Sequence, residues 1–141
     1  MSAFFDTNVL VYCTDVTAPD KQARAKALVA RCAAAGEAIV STHVLVELFH
    51  TLTRKQRMPS EVAQVLIQAY STWPVIGNDT PLVAAAVDRS VHLQLSIWDA
   101  MVIEAALRSG AQTLYTEDLQ HGQRFGAMTI IDPFLVEPRT P

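Results

Sequence analysis

A chain of 141 residues, half of them hydrophobic and 18% charged, is long enough for a substantial core and too apolar for disorder. The net charge of −3 gives no bulk attraction to a phosphate backbone, though it does not exclude one. Val9 to Cys13 is far too short an apolar run for a signal peptide or a membrane span, and Cys13 and Cys32 match no metal-ligand spacing. Reduced thiols and a cytosolic location are expected.

Ala3-Phe4-Phe5 reads as a short buried strand ending in a polar turn, Asp6-Thr7-Asn8. Pro19 and Asp20 open an alanine-rich helix to about Ala35, stopped by Gly36. Ala38-Ile39-Val40 is a second buried strand. Ser41 and Thr42 then offer an N-cap for a helix to about Gln56, with Val44, Leu45, Leu48 and Leu52 on one stripe. Pro59-Ser60-Glu61 starts another helix, with Val62, Val65, Leu66 and Ala69 expected to face inward. Trp73 to Ile76, interrupted by Pro74, suits an edge strand.

Asn78 or Asp79, followed by Pro81, begins a helix to about Val91. Ser96-Ile97-Trp98-Asp99 opens one that is apolar nearly all round, hence buried, and closed by Gly110. Thr113-Leu114-Tyr115 is a further strand leading into Thr116-Glu117-Asp118. After a short turn of helix and a Gly122 to Gly126 loop, Met128 to Ile131 makes the last strand. Residues 133–141 are expected to form a loosely held tail. The alternation predicts an α/β fold in one domain: a parallel sheet of four or five strands, flanked by helices in three layers.

Asp6 and Asp118 follow the ends of predicted strands, Asp99 falls in the first turn of a helix, and Glu47 lies about two turns into the helix after the second strand. In an open parallel sheet such positions gather at one edge, where the functional crevice lies. Two unit charges about 4 Å apart repel by roughly 4 kcal/mol at an effective dielectric near 20. Protons or a divalent cation must therefore neutralise such a cluster, and oxygen-only donors suit Mg²⁺, with Mn²⁺ as substitute. His43, Glu47 and His50 share a helical face but lack the zinc-protease spacing.

Each residue also has an ordinary structural role. Asp6 can end a strand, Glu47 can be a solvated helix glutamate, and Ser96-x-x-Asp99 resembles a capping box. Glu117 competes with Asp118 and is expected to stay solvated. Thr7, Asn8 and Thr116 are candidates for orienting the carboxylates, since no adjacent base would activate Thr116 as a nucleophile. Trp98 is expected in the core, with base stacking as its alternative. Arg54, Lys55 and Arg57 suit a helix C-terminus, or contact with a nucleic-acid backbone.

Phe5-Asp6-Thr7-Asn8 with Leu10, Val46-Glu47-Leu48, Ser96-Ile97-Trp98-Asp99-Ala100, and Leu114-Tyr115-Thr116-Glu117-Asp118-Leu119-Gln120 with Gly122 follow in this order. Together these blocks resemble the PIN-domain ribonucleases, and within them the VapC-type toxins of toxin–antitoxin pairs, over nearly the whole length. The resemblance implies Mg²⁺- or Mn²⁺-dependent RNA cleavage at Asp6, Glu47, Asp99 and Asp118. The ion would be held by Asp6, Asp99 and Asp118, and the products would carry 5′-phosphate and 3′-hydroxyl ends. It further implies a homodimer silenced by a cognate antitoxin. Two rival classes fit less well. A phosphotransfer or receiver domain wants Asp-x-Asp after the first strand or a late lysine, and a non-catalytic binding module has no need of four acids.

Overall fold

A computed structural model describes residues 1–135. In chain order the elements are β1 (Ala3–Phe5), α1 (Thr7–Tyr12), α2 (Pro19–Ala34), β2 (Ala38–Ser41), α3 (Thr42–Arg54) and α4 (Ser60–Tyr70). There follow β3 (Val75–Ile76), α5 (Thr80–Leu93), α6 (Ile97–Arg108), β4 (Thr113–Tyr115), β5 (Arg124–Phe125) and β6 (Met128–Ile131). One six-stranded sheet runs β3-β2-β1-β4-β6-β5, parallel except for the β5–β6 pair.

The central strands read as continuous apolar runs because helices cover both faces of a parallel sheet. Ala3, Phe4, Phe5, Ile39, Val40 and Leu114 are all buried. Gly36 adopts a positive φ of 71°, the left-handed conformation that lets the chain leave α2 and turn into β2. On α3 the Ser41 hydroxyl accepts the Val44 N–H (3.2 Å), and Val44, Leu48 and Leu52 form the buried stripe. Asp79 caps α5 by accepting the Leu82 N–H (3.0 Å), and Ala100, Met101, Val102, Ile103, Ala105 and Ala106 of α6 are buried.

Several expectations need correction. Asp6-Thr7-Asn8 is not a loose turn: Asp6 is the N-cap of α1 and the other two are its first residues. On α4 only Ala63 is fully buried, with Leu66 and Ile67 packed partly against the core. Val62 and Val65 are 50% and 62% exposed, and Ala69 also faces outward. The inward face therefore lies one residue away from the expected one. No helix follows Asp118; instead Arg124–Phe125 turns back beside β6 as a short antiparallel edge, a sixth strand. Of the tail expected to be loose, residues 133–135 are held. Arg24 donates to the carbonyls of Pro133 (3.1 Å) and Leu135 (2.9 Å), and Phe134 meets Tyr12 edge-on. The remainder of that tail lies outside the described residues.

Candidate metal centre

From β1 the chain winds outward to β2 and β3, then returns to place β4 on the other side of β1. This reversal opens a crevice beyond the carboxyl ends of β1 and β4. Asp6 follows β1 directly and Thr116 follows β4 directly. The Asp6 N–H donates to the Tyr115 carbonyl (3.0 Å), so the sheet's own pairing fixes where the carboxylate begins.

Asp6 is buried, yet one carboxylate oxygen accepts the Thr7 N–H (2.7 Å) and the other accepts the Thr116 hydroxyl (2.8 Å). Burial drives its pKa up to about 7. The bonds from Thr116 and Thr7 pull the other way, and the charges of Asp118 and Glu47 push further up. Thr116 ties two acids together, because its oxygen also accepts the Asp118 N–H (3.1 Å). Asn8 spans the same gap: its amide donates to Thr116 Oγ1 (3.2 Å) and to Asp118 Oδ2 (3.0 Å), and its carbonyl accepts the Glu117 N–H (3.3 Å).

Asp99 arrives from α6, where the Ser96 hydroxyl accepts its backbone N–H (3.0 Å). The half of the capping box seen in the sequence thus coexists with a carboxylate aimed at the crevice. Its pKa is raised, first by burial and then by Asp118 and Glu47, against the Ser96 hydrogen bond. Glu47 lies about two turns into α3, half-buried, and accepts the Thr7 hydroxyl (2.5 Å).

One oxygen each from Asp6, Asp99 and Asp118 lies within 4.8 Å of the others. Mg²⁺ holds oxygen ligands at about 2.0–2.1 Å, so two ligands of one ion stand no more than roughly 4.2 Å apart, and the three carboxylates need close by only about half an ångström to share one. The donor set therefore fits a divalent ion. Burial raises the Asp6 pKa because no cationic side chain stands beside its carboxylate to offset the charge. Glu47 stands outside the three-oxygen group, at its margin. His43 and His50 join no such cluster among the described residues.

A cleft of about 260 Å³ opens from the cluster, lined by Asp6, Thr7, Asn8, Glu47 and Asp118 together with Tyr12, Asp15, Thr51 and Lys55. Of the last four, only Lys55 carries a functional expectation from the sequence, as a backbone contact beside Arg54 and Arg57. Thr51 and Lys55 follow Glu47 at four-residue intervals, a helical periodicity that was available in the sequence. A wider hollow of about 590 Å³, lined by Arg24, Arg31, Tyr115 and His121, holds no converging set of acids among the described residues. Two further expectations fail here. Glu117 is not solvated: it pairs with Lys21 (2.9 Å) and accepts the Tyr12 hydroxyl (3.0 Å). Trp98 is not core: it is 59% exposed, with its ring stacked on His43.

Residues 3–124 match the family model of the PIN domain, and the chain belongs to that family. Among solved structures, it is similar to VapC20 of Mycobacterium tuberculosis, a Sarcin-Ricin loop cleaving toxin. The TM-score is 0.65 at 23% identity, covering 83% of this chain and 92% of that one. It is also similar to a toxin–antitoxin complex from Klebsiella pneumoniae (TM-score 0.67, 18% identity, 96% and 100% covered). A third is the DNA-bound VapBC of Salmonella typhimurium (0.67, 16%, 94% and 98%). At these identities the likeness is one of fold. A comparison with curated proteins gives no match. No helix among the described residues is long and apolar enough to cross a membrane.

Proposed function

We propose that this chain is a divalent-metal-dependent endoribonuclease and the toxin of a toxin–antitoxin pair. The observation that carries the reading is the convergence of three carboxylate oxygens, from residues 6, 99 and 118, within 4.8 Å. Asp6, Asp99 and Asp118 would hold Mg²⁺, with Mn²⁺ as substitute. When bound, such an ion lowers the pKa of water and stabilises charge on a departing oxygen.

The chain's own residues do the rest. Thr116 and Asn8 hold Asp6 and Asp118 in register, and Thr7 holds Glu47 at the cleft. Glu47 or Asp118 accepts the proton of the attacking water at a carboxylate oxygen. Water, rather than the ribose 2′-hydroxyl, is the nucleophile, so the products carry 5′-phosphate and 3′-hydroxyl ends. A cognate antitoxin and a second copy of the chain are the expected protein partners, in the cytoplasm. Exposed Val46, Val62 and Val65 on α3 and α4, and Val83, Val87 and Val91 on α5, offer them apolar surface.

Expression of the wild type beside Asp6→Ala, scoring growth and mapping RNA ends, tests this reading. Arrest and new 5′-phosphate ends with the wild type alone are expected. A wild type that is harmless and leaves RNA intact overturns it, and 2′,3′-cyclic phosphate ends overturn the mechanism.

A further inference from the structure

Trp98 is 59% exposed, whereas Met101, Val102 and Ile103 of the same helix are buried. Its ring lies on that of His43, with centroids 5.5 Å apart and planes 26° from parallel. Nδ1 of His43 is buried and has no hydrogen-bond partner. The pair flanks the acidic cluster on both chains of connection: Trp98 precedes Asp99 directly, and His43 lies one turn before Glu47 on α3.

His43, Glu47, Thr51 and Lys55 recur every four residues and form one ridge of α3 about 18 Å long. Glu47, Thr51 and Lys55 line the acidic cleft, and Lys55 enters no ion pair among the described residues. An aromatic face, an acid, a hydroxyl and an unpaired ammonium thus follow one another across the site. Stacking surfaces combined with cations that track the backbone are the means by which single strands are held without base pairing.

We infer that this ridge is a track for single-stranded RNA, on which an unpaired base beside the scissile phosphate stacks on the open face of Trp98, backed by His43. Lys55 holds a backbone phosphate at the other end. The inference rests on the nuclease reading for the nature of the strand, and it assigns that strand's course across the site. A duplex cannot offer a free base face to Trp98, so paired RNA is a poor substrate.

The test reads binding and cleavage separately. In EDTA and low salt, a mixed-sequence single-stranded oligoribonucleotide is titrated into the wild type and Trp98→Phe, with tryptophan fluorescence recorded. Trp73, packed against Phe5 and Tyr70, is the second tryptophan and serves as internal reference. Quenching in the wild type that is lost in Trp98→Phe is expected, and a duplex of the same sequence should quench little. With Mn²⁺, Trp98→Ala should raise KM about tenfold with kcat within about twofold, and Trp98→Phe should restore most of the loss. Quenching without any cleavage supports the track while sinking the nuclease. Cleavage with equal KM in wild type and Trp98→Ala overturns the track and leaves the nuclease standing. A Trp98 signal that answers only to a protein partner, never to RNA, also overturns it.

Discussion

Asparagine in place of Asp6 should make the metal-free protein more stable at pH 8 and slightly less stable at pH 4. The folded carboxyl has its pKa raised from 3.8 to about 7, mainly by burial. The folded state therefore binds the proton more tightly than the unfolded chain. The stability this confers is fully present below pH 3.8 and is lost as the pH rises to about 7. A shift of this size corresponds to about 4 kcal/mol. Asparagine still accepts the Thr7 N–H, but it turns an amide toward Thr116 Oγ1, which already accepts from Asn8 and Asp118. That mismatch costs about 1 kcal/mol, leaving a net gain near 3 kcal/mol at pH 8. At roughly 3 °C per kcal/mol, Tm should rise by about 9 °C at pH 8 and fall by about 3 °C at pH 4. Thermal denaturation in EDTA at the two pH values measures this. Equal destabilisation at both would show that Asp6 serves only as a helix cap, and the buried-charge argument would fail.

The wild-type domain should also gain more from Mn²⁺ at pH 8 than at pH 5.5, because the ion must displace the Asp6 proton; a thermal-shift series across pH reads the slope. Thr116→Val keeps the shape but removes the hydroxyl that joins Asp6 to Asp118, so it should cost about 1–3 kcal/mol and weaken metal affinity about 10–100-fold. Denaturant melts and metal titration check the two effects. Leu48→Ala, in the buried stripe of α3, should cost about 2–5 kcal/mol, whereas Val62→Ser on exposed α4 should stay within about 0.5 kcal/mol. Comparable losses at the two positions would reverse the placement of α4.

Much of this arrangement was legible because the sequence marks strand ends plainly. A carboxylate directly after Phe4-Phe5 has one available place in a parallel sheet, and Ser96-x-x-Asp99 fixes a helix start three residues before the acid. Thr116 and Asn8 could be placed beside these acids for the same reason, and they hydrogen-bond to Asp6 and Asp118. The failures share a cause: tertiary partners that leave no local trace. Lys21 lies 96 positions from Glu117, so nothing near Glu117 announced its ion pair. On α4, apolar residues crowd more than one face, and periodicity could not say which one Ala63 would turn inward. Arg124–Phe125 is too short for a strand pattern, being defined only by its pairing with β6. Trp98 was placed by its residue type, which predicts burial, whereas its stacking on His43 arises from the approach of α6 to α3.

Mn²⁺ binding to the purified protein, followed by electron paramagnetic resonance beside the single variants Asp6→Asn, Asp99→Asn and Asp118→Asn, bears most directly on the convergence of the three acids. Saturable binding by the wild type that each substitution weakens by at least tenfold is the predicted result. Binding that survives any one substitution unchanged would mean that the three carboxylates do not share an ion.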